Sequence, residues 1–326
     1  MKRLTPAFKR FVVLRNPVST NAEQVQRRIQ ELHELFPETL MDIIETSAAG
    51  KDGTRRRLSR HAHLLGPHTL LCIGGGDGTT NLAVEWLVQG KGVPAAARKT
   101  PILPLWGGNA NDLAHMLNGV MYRGRLKRLF AKAKIVKVYP LQCHLAEQNT
   151  EPRVHVAVGY IGFGITAAVA LQLNAAEHRH SRWRTVPGVR FIGELITLFQ
   201  TLLGSTSFAI EEKGNVRHLL ERSYVNGSRM GKLRPIATRL TDKTFIETDV
   251  HRKDRHVFAI WRWLKESMRP RPTHKISKSS TFSCRDTLWM QVDGEPARVA
   301  KGTQVTVSRS AKPFYALSTQ TGKLRS

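Results

Sequence analysis

The segment CIGGGDGTTN (residues 72–81) most constrains the fold of this chain, because four glycines and an acid separate an apolar run from a helical pattern. A glycine-rich turn from a buried strand into a helix brings backbone N–H groups to the helix N-terminus, where phosphate oxygens bind. The Gly-Lys-Ser/Thr ending of a Walker loop is missing, and the GxGxxG spacing fails at Thr79 and at Asn81. We therefore expect a phosphate site of another kind, whose glycines approach the ligand closely and adopt positive φ.

Asp77 is the unusual residue of this segment, since it puts a negative charge where phosphate is expected. A carboxylate and a phosphate share a site when a cation lies between them, so the pattern predicts Mg²⁺ bound partly through water. The alternative is a tight strand–helix turn in which Asp77 caps the helix.

Strands and helices alternate in the N-terminal part of the sequence. Strands are predicted at 9–14, 40–46, 68–73 and 101–105, and helices at 22–35, 54–65, 81–89 and 111–118. Such alternation implies βαβ units and a parallel sheet that binds ligands at the carboxyl ends of its strands.

The pattern changes near residue 135, after which strands dominate. They are predicted at 135–145, 153–158, 222–226, 244–250, 256–260, 273–283, 287–292 and 304–308, with helical stretches near 164–180 and 188–204. The predicted fold class is α/β: an N-terminal Rossmann-like parallel α/β domain (1–138) followed by a β-rich, β-sandwich C-terminal domain (139–311) with inserted helices.

The net charge of +26 is spread over both halves of the sequence. It favours a polyanionic partner, such as nucleic acid, anionic lipid headgroups or nucleotides, and the alternative is simple solubility. No zinc-finger spacing or RNA-binding aromatic signature is present, so we expect no specific nucleic acid partner. The three scattered cysteines fit a reducing compartment, and the apolar runs are too short for a signal peptide or a bilayer span. We therefore predict a cytoplasmic protein.

Several segments together resemble the diacylglycerol kinase catalytic-domain family, which includes bacterial lipid kinases and sphingosine kinases and is related to NAD kinases. They occur in the family's order: Asn16-Pro17 with Ser19, GGGDGTTN (74–81), LPLWGGNANDLA (103–114), GYIGFGITA (159–167), VNG (225–227) with Met230-Gly231 and Pro235, and VDGE (292–295). The resemblance extends over roughly residues 10–310.

The resemblance implies transfer of the ATP γ-phosphoryl group to the hydroxyl of a diacylglycerol-like lipid, with Mg²⁺. The catalytic residues would be Glu295 as the general base, Asp293, which would hold its loop or assist the metal, and Asp77. Asp242 would lie at a structural magnesium site. The tail, 312–326, would pack back on the ATP-binding domain. The implied nucleotide contacts are Asn16, Thr46, Gly74, Gly75, Gly76, Asp77, Gly78, Thr79, Asn81, Gly108, Asn109 and Asn111.

Alternatives stay open for individual motifs and for the activity. Asp293-Gly294 is also typical of a hairpin turn, and Asn111-Asp112 of a helix cap. The family usually has Glu where this chain has Leu82 and Thr where it has Asn109, and Lys243 follows Asp242. An NAD kinase-like enzyme and a non-catalytic lipid- or nucleotide-binding relative are therefore the rival functions.

Basic segments with interleaved aromatics predict peripheral binding to the inner face of an anionic membrane, and a homodimer stays open. The segments are 123–137, 178–190 around Trp183, and 252–275 with Phe258, Trp261 and Trp263. The helices near 164–204 are a candidate lid over an acyl chain. The alternative is a solvated basic face with its aromatics in the core.

Overall fold

The computed structural model describes residues 8–108, 111–119, 124–147, 150–174, 207–227, 240–251 and 275–320. The chain divides into two compact units. Unit 1 comprises Met1–Pro140, Arg239–Asp242 and Ser310–Ser326, and unit 2 comprises Leu141–Thr238 and Lys243–Arg309.

The described strands and helices are numbered in chain order. The strands are β1 (Arg10–Arg15), β2 (Leu40–Glu45), β3 (Thr69–Gly75), β4 (Pro101–Trp106), β5 (Lys134–Val138), β6 (Leu141–Ala146), β7 (Arg153–Ala157), β8 (Tyr160–Gly164), β9 (Phe208–Glu212), β10 (Asn215–Val225), β11 (Phe245–His251), β12 (Lys275–Ser277), β13 (Ser279–Cys284), β14 (Leu288–Val292), β15 (Glu295–Val299), β16 (Gln304–Arg309) and β17 (Phe314–Ser318). The α-helices are α1 (Ala22–Leu35), α2 (Gly50–Arg60), α3 (Asp77–Gln89), α4 (Asp112–Asn118), α5 (Leu126–Lys132) and α6 (Ile165–Asn174), and short 3-10 helices lie at Ala62–Leu64 and Ala97–Lys99.

Unit 1 is built on a six-stranded sheet in the order β2-β1-β3-β4-β17-β5, counted over the described residues. All neighbouring pairs are parallel except β17 and β5. The central strands β1 and β3 are apolar because both of their faces are covered. On one face, Val25 and Ile29 of α1 and Leu129 of α5 join the sheet residues in a common core.

Unit 2 contains an antiparallel sheet of eleven described strands. Its main path is β15-β14-β8-β10-β9-β13-β16-β6-β7, and β11 and β12 branch from β10. Buried side chains from opposite ends of this path, such as Cys143 of β6 and Met290 of β14, belong to one hydrophobic cluster. The sheet therefore curls around a single core.

The predicted fold class is confirmed: a parallel α/β part precedes a large antiparallel part. Several details differ. The strand predicted at 135–145 is two strands of different sheets, β5 and β6, separated at Tyr139-Pro140. Helix α3 begins at Asp77 instead of Asn81, because Gly76 already serves as its N-cap. The sequence patterns also gave no sign of α5 or β17.

Some predictions fall on other parts of the chain. The helix near 188–204, the strand at 256–260 and the aromatic residues Trp183, Phe258, Trp261 and Trp263 lie outside the described residues. None of the described helices has the length and apolarity needed to cross a bilayer.

Candidate active site

The candidate nucleotide site of unit 1 lies where four parallel strands end. Asn16 follows β1, Thr46 follows β2, Gly76 follows β3, and Gly107 follows β4. Because these strands are parallel neighbours, their carboxyl ends share one edge of the sheet, which is the usual ligand position in such sheets.

Three predicted nucleotide-binding side chains meet at this edge. The Asn16 Nδ2 donates to the Thr79 Oγ1 at 3.3 Å, and the Thr46 Oγ1 donates to the Asn16 Oδ1 at 3.3 Å. The Asn16 N–H is anchored on the Gly74 carbonyl at 2.7 Å, which fixes the cluster to the end of β3. The three side chains are only partly buried, so their polar atoms remain accessible to a ligand.

The glycines of the two turns are required by contacts within the protein. A Cβ on Gly108 would lie 2.4 Å from the Cα of Gly76, and one on Gly107 would lie 2.9 Å from the backbone N and O of Gly75. A Cβ on Gly75 would lie 2.5 Å from the Thr79 hydroxyl. The β3–α3 and β4–α4 turns therefore pack backbone against backbone.

The prediction that Gly74, Gly75, Gly76 and Gly78 adopt positive φ is wrong. The described glycines with positive φ all lie elsewhere in the chain, and Gly76 has φ −87°. Gly74, Gly75 and Gly76 are needed because a Cβ at any of them would press on neighbouring atoms, and their backbone conformation does not require glycine. Gly78 is exposed in the first turn of α3, where helix geometry leaves backbone N–H groups without intrahelical partners.

Asp77 is the first residue of α3, but its side chain caps the start of α4. Its Oδ1 accepts a hydrogen bond from the Asp112 N–H at 2.8 Å, at the start of α4. Burial raises the pKa of the Asp77 carboxyl, and the backbone N–H groups of residues 111–113 oppose that rise. Asn111 has φ 52°, and its side chain bridges the N–H and carbonyl of Gly108 at 2.9 and 2.5 Å.

The oxygen atoms available for a metal ion are few. Asn81 lies one helical turn after Asp77, and its buried Oδ1 has no hydrogen-bond donor among the described residues. No group of three or more His, Cys, Asp or Glu side chains in the described chain is arranged to hold a metal. This set suits Mg²⁺ that arrives with a nucleotide, since Mg²⁺ keeps waters and phosphate oxygens and needs only one or two protein ligands. Asp242 belongs to unit 1, and Asn109 lies outside the described residues.

The predicted catalytic residues of unit 2 lie at the β14–β15 hairpin. Asp293 and Gly294 form its two-residue turn with φ 48° and 86°, and Glu295 opens β15 opposite Val292. Positive φ at both central positions is the type I′ geometry that closes tight hairpins. Glu295 is partly exposed at the end of this rigid turn.

The Asp293 carboxylate holds a distant segment. It accepts hydrogen bonds from the N–H groups of Val158, Gly159 and Tyr160 at 2.6, 2.9 and 2.8 Å. Asn226 binds the same segment from the other side, its Nδ2 donating to the Val158 carbonyl and its N–H to the Gly159 carbonyl, both at 2.7 Å. Three segments that resemble family motifs, GYIGFG, VNG and DGE, thus meet within unit 2.

Sequence reasoning missed Glu221, a fully buried acid on β10. Its carboxylate accepts hydrogen bonds from the Thr166 N–H at 2.9 Å and the Thr166 hydroxyl at 2.6 Å, at the N-terminus of α6, and from the Ser223 hydroxyl at 2.5 Å. Burial raises the pKa of Glu221 to about 7, and the hydrogen bonds oppose the rise. The sequence offered little signal for it, because Glu221 precedes the predicted strand 222–226 and β10 carries several other polar and charged residues.

The comparisons with known proteins agree on the N-terminal domain and on the fold. Residues 10–138 match the model of the family described as the diacylglycerol kinase catalytic domain, which confirms the resemblance over that part. A diacylglycerol kinase from Bacillus anthracis (strain Sterne) is 16% identical with a TM-score of 0.65, over 96% of this chain and 98% of its own. Yeast NADH kinase, solved with NADH, is 14% identical with a TM-score of 0.53, over 97% of this chain and 85% of its own. No curated protein sequence matches the chain.

Proposed function

We propose that this chain, whose residues 10–138 match the diacylglycerol kinase catalytic domain, is an ATP-dependent lipid kinase. It transfers the γ-phosphoryl group of ATP to the hydroxyl of a diacylglycerol-like lipid. The observation that carries the proposal is this match together with the Asn16–Thr46–Thr79 cluster at the carboxyl edge of the parallel sheet.

On the nucleotide side, the first turn of α3 offers backbone N–H groups and the Thr79 hydroxyl to phosphate oxygens. When bound, Mg²⁺ would neutralise charge on the phosphates during transfer. Asp77 and Asn81 are the side chains that would face it, directly or through water. Their oxygen donors fit the preference of this ion.

On the acceptor side, Glu295 is the proposed general base that removes the lipid hydroxyl proton. Asp293 is a positioning residue: its three backbone hydrogen bonds fix the hairpin turn that carries Glu295. The lipid substrate makes the inner face of an anionic membrane the expected partner, through peripheral contact.

The test is a panel assay of the full chain with labelled ATP and Mg²⁺. Monoacylglycerol, diacylglycerol, sphingosine and phosphatidylglycerol are presented in neutral detergent micelles. We expect labelled diacylglycerol, and we expect Glu295→Gln to lower kcat by roughly 100- to 10,000-fold while ATP binding is retained. Glu151→Gln, which removes an exposed carboxylate of unit 2, is the matched control and should leave kcat unchanged. Tight ATP binding with no labelled lipid would favour the non-catalytic alternative.

A second candidate is an NAD kinase-like enzyme, which the shared fold with yeast NADH kinase supports. Incubation with ATP and either NAD or NADH, followed by assay for the phosphorylated dinucleotide, separates the two. Formation of that product in the absence of labelled lipid would replace the lipid kinase proposal.

A further inference from the structure

Helix α5 has two chemically different faces. Leu126, Leu129 and Phe130 are buried in the core of unit 1, together with Ala133 just after the helix. The opposite face and the residue before the helix carry four exposed cations, Arg125, Lys127, Arg128 and Lys132, beside the small exposed side chain of Ala131. The burial of its apolar side fixes the direction in which these four cations point.

The basic surface continues onto the adjoining edge strand β5. Ile135 lies opposite Leu317 of β17, a core residue, so Ile135 and Lys137 are on the sheet face that α5 covers. Because β5 is the last strand of its sheet, Ile135 remains 40% exposed there. We call Arg125, Lys127, Arg128, Lys132, Ile135 and Lys137 the α5–β5 surface.

The cations of the α5–β5 surface form no ion pair with a described residue, whereas part of the charge of the other strongly basic helix is compensated. On α2, Arg55 pairs with Asp52 at 2.7 Å and with Glu85 at 2.8 Å, and Arg57 donates to the Glu45 carbonyl at 2.9 Å. The acid nearest to α5 is Glu31 of α1, which is already occupied by the Leu126 N–H at 2.6 Å and by Arg28 at 2.7 Å. No acid occurs in the sequence from 113 to 146. The surface therefore keeps an uncompensated positive charge.

We propose that the α5–β5 surface docks unit 1 on an anionic lipid bilayer. Cations at a membrane surface attract anionic headgroups, and an exposed isoleucine among them can enter the interfacial layer. Lysines on an edge strand also prevent strand pairing, but that role does not require the three cations on α5 or Arg125 before it. Single-stranded nucleic acid is the less suitable partner, because the surface offers no aromatic side chain for stacking on bases. Duplex DNA, which cations bind through its phosphates, is the rival that the test includes. The inference rests on the proposed function in one respect only: a lipid substrate explains why the protein would visit a bilayer.

The test measures sedimentation of the full chain with vesicles of phosphatidylglycerol and phosphatidylcholine in equal amounts, and with vesicles of phosphatidylcholine alone. Arg128→Glu/Lys132→Glu reverses two exposed charges one helical turn apart. Its affinity for the anionic vesicles should fall by at least about 30-fold, because each basic residue contributes roughly 1 kcal/mol near such a surface. Arg128→Gln/Lys132→Gln should show the same direction with a smaller loss. High salt should weaken wild-type binding.

The matched control is Arg56→Glu/Arg60→Glu on α2, which has the same spacing, exposure and charge change. It should retain vesicle affinity within a few-fold. Equal losses in both reversed pairs, no loss in the α5 pair, or no wild-type binding to anionic vesicles would each overturn the proposal. Binding of wild type and of the α5 pair to double-stranded DNA is measured in parallel. If the α5 pair loses binding to DNA but keeps its binding to vesicles, the proposal is overturned as well.

Activity in neutral detergent micelles separates this proposal from the proposed function. The α5 pair should match wild type in micelles and fall behind it in anionic vesicles. If wild type has no kinase activity in any format, the proposed function fails, while the sedimentation result still decides whether the surface binds anionic membranes.

Discussion

The key turns of the two units are held by different kinds of contact, which are backbone packing at glycines in unit 1 and hydrogen bonds to carboxylates in unit 2. In unit 1, the β3–α3 and β4–α4 turns come together because Gly76 and Gly108 have no side chains. In unit 2, the segment 158–160 is held by the half-buried carboxylate of Asp293, and the start of α6 by the buried carboxylate of Glu221. Steric changes should therefore damage the first unit most, and changes of charge or pH the second.

The two kinds of contact also respond differently to pH. A backbone contact between glycines depends on shape and is the same at every pH. A carboxylate that accepts several N–H bonds contributes strongly, but it pays for burial when it ionises. The following variants test this contrast, beginning with the largest expected effect.

Asp293→Ala should cause the largest loss. It leaves three backbone N–H groups without their acceptor, and each bond to a charged group contributes about 1.5–3 kcal/mol. We expect the free energy of unfolding of unit 2 to fall by about 4 kcal/mol, since such losses are not fully additive. Hydrogen exchange of the amides of residues 158–160 is the direct measurement.

The matched control is Asp286→Ala, because Asp286 accepts one backbone bond, from the Ala209 N–H at 2.7 Å. Because Asp286 is exposed, water can replace it, and the loss should be below the range given for charged groups, at about 1 kcal/mol. If the two variants are equally destabilised, the bonds to Asp293 do not hold the turn as described.

Glu221→Gln tests the dependence of unit 2 on pH. Burial raises the pKa of Glu221 from 4.5 to about 7 in the folded protein, so folding favours the neutral carboxyl. This contribution to stability is complete below the unfolded pKa and is lost as the pH rises from about 4.5 to 7. Relative to wild type, the glutamine variant should therefore gain about 3 kcal/mol across that range. Urea unfolding at several pH values measures the difference, and a difference that stays constant with pH would refute it.

The sequence predicted most of unit 1, because its strands are apolar runs and its helices have apolar spacing. The position of Asn16, Thr46 and Thr79 at one edge of the sheet was also predictable, since parallel strands place their carboxyl ends together. Sequence reasoning failed where a long-range partner decides the outcome. Pro140 is a local signal for a break within 135–145, but nothing local assigns the two halves to different sheets or shows that Glu221 faces the N-terminus of α6. The catalytic and binding roles of the motif residues remain predictions.

Gly108→Ala tests the glycine contact of unit 1. The new Cβ would lie 2.4 Å from the Cα of Gly76, so the backbone of one turn must move. Overpacking of this kind should lower the free energy of unfolding of unit 1 by about 2 kcal/mol at every pH. Gly66→Ala is the control, because a Cβ there meets nothing within 4 Å, and it should have little effect. Comparable thermal stability of the two variants would contradict the contact.

Asp77 is the exception within unit 1, a carboxylate among glycines, and it gives the smallest expected stability effect. Asp77→Ala removes the acceptor for the Asp112 N–H, and loss of a helix cap lowers the free energy of unfolding by about 1 kcal/mol. Asp77→Asn keeps an oxygen for that bond and removes the charge, so its stability should stay closer to wild type. Denaturant unfolding of both variants measures these differences.

The asparagine variant then separates capping from metal chemistry. If Asp77 also faces Mg²⁺ on the nucleotide, Asp77→Asn should weaken ATP binding in the presence of Mg²⁺ and leave binding without Mg²⁺ unchanged. Asp52→Asn is the matched control, an acid in the first turn of α2 that pairs with Arg55, and it should change neither. Unchanged ATP binding in Asp77→Asn under both conditions would leave the carboxylate as a cap alone. The two units would then be more alike, since Asp77 in unit 1 and Asp293 in unit 2 would each only hold a neighbouring backbone segment.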